Sequence, residues 1–336
     1  VYVLPRDSPE EVRAPVGSGP YHLAAYERGR RLLLSPRADD PRAAGALPVE
    51  FLIVPEARRR TELLLAGQAD LVFDLAPEDV ARLERAPGCR AASRTSTVVS
   101  YLALSSSDAR FRDARVREAI DLALDRRLIA ERSFGGRAQP ATQMAAPGVF
   151  GHDPGIAAPA RNLARARALL AEAGYPSGFA VTVEHREGRD HAELARQLAE
   201  LGLQVDVRSW PWTELYPRLQ ERRIQVYYGG VAATTGDASD VLATFLHTLD
   251  AQRGYGATNS SGFSHPGVDA LIEQSSFTTD LTERRQLLQR ALRLAREERY
   301  LLPLVVPDDV YGLRRGLAWE PRLDRRLLAG DVRLAR

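Results

Sequence analysis

The sequence predicts a two-lobed α/β fold with a hinge, and three observations lead there. Apolar strands alternate with amphipathic helices along most of the 336 residues, the pattern of an α/β layer with at least some parallel strands. Strand character returns at 301–306 and 310–314 after a run of helices, so the last strands are expected to rejoin the first lobe. The length suffices for one large core or two ordinary ones. Two lobes joined by more than one crossing form a hinge architecture.

The elements follow in order. Residues 1–20 are rich in proline and charge and end in Gly17-Ser18-Gly19-Pro20-Tyr21. Pro20 and its successors do not open a helix, so the geometry that cradles phosphate is missing and a turn feeding a strand is the reading. Residues 21–26 and 31–34 resemble a hairpin. A strand at 49–54, a helix at 56–65 stopped near Gly67 and a strand at 71–73 form a strand–helix–strand unit. The helix at 77–85 starts on a proline, with Glu78 and Asp79 in its first turn, where they suit the dipole. TVVSYLAL at 97–104 reads as a buried strand.

Residues 111–136 carry the most consistent local signals. Asp113 is placed to cap a helix whose stripe is Val116, Ala119, Ile120 and Ala123. Asp125 caps a second helix, which Gly135 and Gly136 stop. The hinge is expected just upstream, at 105–108. The segment 137–159 is long and irregular, a type usually functional or flexible. Helices at 161–173, 190–201 and 212–221 then alternate with strands at 179–185, 203–208 and 224–228. A Gly/Thr/Asp loop at 229–240 precedes helices at 240–247, 266–274 and 282–299.

Composition narrows the class without naming a partner. The chain is 44% hydrophobic and 27% charged, with a net charge of +2, the balance of a globular protein. No apolar run approaches the roughly 20 residues that span a bilayer. All basic residues are arginine, and the Arg-Arg pairs sit among Asp and Glu, as on solvated helix faces rather than a phosphate-tracking stripe. No nucleic-acid partner is expected. Cys89 is the single cysteine, which excludes an intrachain disulfide and a thiolate zinc site. The chain starts at Val1 without a leader segment, so it reads as processed or cut back, and the N-terminus gives no address.

Catalytic and cofactor motifs are absent. The six histidines show no metal-binding spacing, and neither a nucleophile elbow, a P-loop nor a dinucleotide fingerprint occurs. Asp39-Asp40 and Asp308-Asp309 lie in turn contexts. The residues suited to a binding cleft are aromatic and sit at strand ends: Tyr101, Trp210 and Trp212, and Tyr227-Tyr228 before the 229–240 loop. Ligands collect at strand carboxyl ends in open α/β sheets. Core packing is the competing role for each ring.

The ordered succession VGSGPYHL (16–23), FLIVPEARRRTELLLAGQADLVFDLAPEDVARLERAPG (51–88), YLALSSSDARFRDARVREAIDLALDRRLIAERSFGG (101–136), PGVFGHDP (147–154), ARALLAEAGYPSG (166–178), the W-x-x-L-Y segment at Trp212 and GFSHPGVDALIEQ (262–274) closely resembles the extracellular solute-binding protein family 5. These are the peptide, nickel and opine receptors of ABC importers. The resemblance implies a periplasmic-binding-protein-like type II fold whose two lobes close around a ligand, with no catalytic residues and no cofactor. Relatives carry a longer N-terminal portion, so lobe I is expected to be incomplete. By the same analogy residues 1–104 and 303–336 are the remainder of lobe I, and residues 105–302 are lobe II.

Site residues follow from the resemblance position by position. Where peptide receptors hold the peptide amino group with an aspartate, this chain has Thr234, and Asp237 is the nearest carboxylate. Arg189 lies where dipeptide receptors place an arginine for the ligand carboxylate. Trp212 and Tyr101 match aromatic positions that flank the cleft. The expected function is the solute-binding component of an ABC importer. It would take a small organic ligand or peptide between the lobes and deliver it to membrane permease subunits, in the periplasm or outside the cell, with a lipid anchor as one option. A ligand-sensing domain of a cytoplasmic regulator, a non-binding remnant and an unfamiliar enzyme are the alternatives.

Overall fold

A computed structural model describes residues 16–75 and 77–334. The proline- and charge-rich opening up to residue 15, and the Pro77 and Glu78 side chains invoked for a helix start, lie outside the described residues. The chain divides into two compact units. One holds the described residues up to Arg94 and those from Asp309 onward, and the other spans Thr95–Asp308.

In the first unit the hairpin forms as expected. β1 (Tyr21–Glu27) and β2 (Arg31–Pro36) pair antiparallel, and β3 (Val49–Leu52) adds to β2. Next come α1 (Ala57–Leu65), β4 (Leu71–Val72), α2 (Pro77–Glu84) and β5 (Cys89–Thr95). The strand–helix–strand expectation fails in its pairing. β3 closes on β2, whereas β4 pairs with Gly312 and Leu313, far along the chain. Leu64, Val72, Leu75, Val80 and Leu83 bury the facing sides of these elements together with Cys89.

The second unit opens with β6 (Val98–Leu104) and three helices, α3 (Ala109–Arg112), α4 (Ala114–Ala123) and α5 (Arg126–Phe134). Asp113 accepts from Arg115 N at 2.9 Å and Asp125 from Leu128 N at 3.0 Å, so both caps form where the sequence placed them. Gly135 ends α5 at φ 58°, a left-handed conformation that glycine adopts without steric cost. The expected hinge at 105–108 lies inside this unit and is tied down. Ser105 N donates to Gln225 O, Ser106 N to Ser261 O, and Asp108 caps α3. β6 belongs here because every one of its residues pairs with a single strand of the same unit.

Onward run β7 (Ala138–Pro140), α6 (Leu163–Glu172), β8 (Ala180–Arg186), α7 (Ala192–Leu201), β9 (Gln204–Trp210), α8 (Trp212–Gln220) and β10 (Val226–Ala232). A short α9 (Ala238–Val241) continues into a π-helical turn (Leu242–Leu246), followed by α10 (Pro266–Phe277) and α11 (Leu281–Glu298). β11 (Leu301–Arg314) is one strand where the sequence suggested two. Pro303 and Pro307 interrupt the apolar pattern but not the strand. The missing N–H of Pro303 coincides with a register shift between Pro303 and Val305, and Pro307 pairs with Ala138 without one.

The sheet of this unit runs β11-β6-β10-β8-β9. β10, β8 and β9 are parallel, and β6 is antiparallel to both its neighbours. Strand alternation gives it two buried faces. Val99, Tyr101, Ala103, Tyr227 and Val231 point into one core with α8, the π turn, α10 and α11. Leu102, Leu104, Val181, Val183, Val226 and Tyr228 point into the other with α4, α6 and α7.

Candidate functional site

The site grows from β10. Its sequence VYYGGVA alternates large side chains between the two faces until Gly229 and Gly230, where no side chain is present. A Cβ at Gly229 would stand 2.2 Å from the Tyr227 ring. Glycine there lets the ring fold back over the strand. Tyr227 thus meets Tyr101 of β6 edge-on, with ring centroids 6.0 Å apart, and Phe245 of the π turn meets Tyr101 at 6.3 Å. Burial pushes the Tyr101 and Tyr227 phenols above their usual 10.0. Both therefore stay neutral at ordinary pH and can donate.

Beside these rings is a cavity of about 110 Å³, lined by Tyr101, Tyr227, Phe245, Trp212, Tyr216 and Leu249 together with residues 256–260. Trp212 and Tyr216 lie one turn apart on α8, with rings 5.4 Å apart, and each is 44% exposed. Leu249 is 50% exposed, so all three form an apolar rim. The 256–260 wall is held to the π turn by Gly256 N donating to Ala243 O and Thr258 N to Thr244 O. Such turns recur at functional sites.

Arg189 comes from the turn between β8 and α7. Its guanidinium lies 4.8 Å from the Tyr228 ring centroid, and Nη1 donates to Ser100 Oγ at 3.2 Å. Nη2 lies against Gly230, which also lines the cavity. Among the described residues Arg189 makes no ion pair: its partners are a hydroxyl and an aromatic face. A half-buried guanidinium answered only by neutral groups leaves its fork free for a carboxylate.

The other expected residues have different surroundings. Asp237 caps α9 through Ser239 N at 2.9 Å and takes both ends of the Arg284 guanidinium, at 2.5 and 3.2 Å. Burial acts to raise its pKa, but the bonds from Arg284 and Ser239 outweigh this and hold it below the usual 3.8. Thr234 is exposed, and its N and Oγ both donate to Asp240 Oδ2, at 2.8 and 2.6 Å. Neither Thr234, Asp237 nor Arg189 lines the cavity, whereas Tyr101 and Trp212 do; Arg189 reaches Gly230 from the Tyr228 face of β10. Tyr216, Phe245 and Leu249 were not foreseen. The spacing of Tyr216 four residues after Trp212 was the available signal for a shared helix face, but the π turn that presents Phe245 has no such sequence mark.

The chain is 26% identical over 314 residues to the glutathione-binding protein GsiB of Escherichia coli (strain K12), covering 87% of this chain and 59% of that protein. It is 25% identical over 302 residues to heme-binding protein A of Haemophilus influenzae, covering 86% of this chain and 54% of that protein. The chain therefore spans little more than half the length of these relatives. A periplasmic binding protein of Helicobacter pylori, DppA in complex with the peptide STSA, superposes with a TM-score of 0.80 at 21% identity, over 96% of this chain and 64% of that one. The fold is the type II periplasmic-binding-protein fold. Residues 3–253 match the family described as bacterial extracellular solute-binding proteins, family 5 middle, and the chain belongs to that family.

Proposed function

We propose that this chain is the solute-binding part of an ABC importer, and that its second unit holds a small organic solute, a peptide or peptide-like molecule, through one apolar group and one anionic group. The observation that carries this reading is an aromatic-rimmed cavity on one face of β10 together with a guanidinium, without an ion pair among the described residues, that reaches Gly230 of the same strand from the Tyr228 face, both near the carboxyl ends of parallel strands. A cavity of about 110 Å³ is smaller than the roughly 150 Å³ that admits benzene. It suits a single aliphatic side chain and not a whole solute. Arg189 takes the carboxylate, and Tyr101 and Trp212 cover the apolar part.

The role involves binding and hand-over, with no bond made or broken. A solute that prefers one conformation of the receptor shifts the population toward it by its differential affinity, and permease subunits recognise that state. The full-length protein works outside the cytoplasm, in the periplasm or at the cell surface.

A thermal-shift screen of di- to tetrapeptides, glutathione, opines, haem, sugars and metal chelates tests the reading. A solute at about 100 times its Kd stabilises by roughly 2.7 kcal/mol, a shift of several degrees. The expected hits carry a carboxylate and a small apolar side chain. A flat response to the whole panel contradicts the proposal.

A further inference from the structure

We propose that the turn from His185 to His191 is an acid-operated latch: it holds Arg189 against Ser100, Tyr228 and Gly230 while His185 is neutral, and lets go when His185 takes up a proton. This concerns the regulation of the site above and rests on the reading of Arg189 as a solute contact.

His185 stands at the end of β8 and is 1% exposed. Its Nδ1 faces the Arg186 carbonyl oxygen at 2.8 Å. A carbonyl only accepts, so Nδ1 carries the hydrogen and Nε2 presents a bare lone pair. That Nε2 is buried without a hydrogen-bond partner, one of two such side-chain atoms among the described residues. Buried polar groups are nearly always satisfied, so the exception calls for a reason.

The surroundings supply it. The His191 ring, at the start of α7, lies 4.6 Å away, and the Tyr228 ring of β10 lies at 6.3 Å. Arg186 and Arg189 flank the turn. Asp190 spends its carboxylate on Ala192 N at 2.9 Å, and Glu193 of α7 is committed to Arg132, Arg196 and Gln197. Among the described residues no carboxylate bonds to His185. A proton on Nε2 therefore creates a buried cation beside Arg189 and His191 with nothing to neutralise it.

Burial pushes the His185 pKa below its usual 6.5. The bond to the Arg186 carbonyl opposes this in part, and the charges of His191 and Arg189 add to the depression. A base with a depressed pKa favours the closed turn fully above 6.5, and that preference is lost as pH falls toward the depressed value. Arg189 leaves with the turn because its own anchors, the Ser100 hydroxyl and the Tyr228 ring, are neutral.

Amide hydrogen exchange over residues 186–192 of the ligand-free protein, corrected for the intrinsic effect of pH on exchange, measures the opening directly. Linkage permits up to about tenfold more opening per pH unit below 6.5. Between about pH 7.5 and about pH 5.5 the wild type should therefore open severalfold more, up to about tenfold, while His185→Phe, which keeps a ring but cannot titrate, should change by less than about twofold. His185→Gln serves as a second neutral variant in case the phenylalanine packs badly. An opening in the wild type that ignores pH overturns the latch, and so does a pH response that survives in both variants. The readout needs no solute, so a protein that binds nothing in the screen still answers it. A solute whose binding ignores Arg189 would sink the functional reading while leaving the latch standing.

Discussion

Two buried polar clusters in the second unit are built on opposite terms. Around Asp121 in α4 every charge has an ionic partner. Its carboxylate, 1% exposed, meets Arg126 Nη2 at 2.5 Å and Arg296 Nη2 at 2.7 Å, and Arg126 Nε donates to Pro303 O at 2.7 Å. At the end of β8 the charges are left open. Among the described residues His185 Nε2 has no partner, and Arg189 has no carboxylate. A closed network fixes α4 and α5 against the sheet and leaves no valence for a ligand. An open one costs stability, and it persists where something else is to complete it.

The largest effect expected from breaking this contrast is at the closed cluster. Asp121→Asn leaves Arg126 and Arg296 buried without their counter-ion and should cost about 3–5 kcal/mol, read as a fall in the urea midpoint. Next is Gly229→Ala. Its new methyl group collides with the Tyr227 ring, so the variant should lose about 1–3 kcal/mol and should also bind solute less tightly, because the ring that walls the cavity is displaced. Asp237→Ala removes a cap and an ion pair from α9 and should cost about 1 kcal/mol. Its solute affinity should stay unchanged, since the carboxylate is already taken by Arg284. The smallest stability change is at the open cluster. Arg189→Gln gives up a charge-assisted hydrogen bond to Ser100 and a cation–π contact with Tyr228 and should shift stability by less than about 1 kcal/mol, and its loss should appear in binding.

These clusters were not equally legible in the sequence. Asp113, Asp125 and Gly135 declare the helix pair 111–136, because a cap is a local matter of one side chain and a backbone within reach. The strand at Cys89–Thr95 was missed because CRAASRT lacks an apolar alternation and owes its place to pairing with β11. β11 reads as two strands, 301–306 and 310–314, because Pro307-Asp308-Asp309 interrupts the apolar run, yet the structure carries the strand through it. The hinge expected at 105–108 sits in a polar stretch of the right kind, yet it is anchored to Gln225 and Ser261, contacts that sequence proximity cannot announce.

The site divides along the same line. Tyr101 and Trp212 are aromatic residues at strand and helix ends, a position that can be read directly, and both line the cavity. Asp237 was favoured as the nearest carboxylate in the chain. Its partner Arg284 arrives from α11 and accounts for its charge through a structural ion pair. The orphaned nitrogen of His185 is a property of the fold alone, because whether a histidine finds a second partner depends on every element packed around it.

The account stands most directly on whether Arg189 holds the anionic end of a solute. Titration calorimetry decides it, with a carboxylate-bearing hit and its carboxamide counterpart measured against wild type and Arg189→Gln. A charge-assisted hydrogen bond is worth about 1.5–3 kcal/mol. The account therefore predicts that Arg189→Gln weakens the carboxylate solute at least about tenfold and leaves the carboxamide within about twofold. Equal losses for both solutes, or no loss for either, would contradict it.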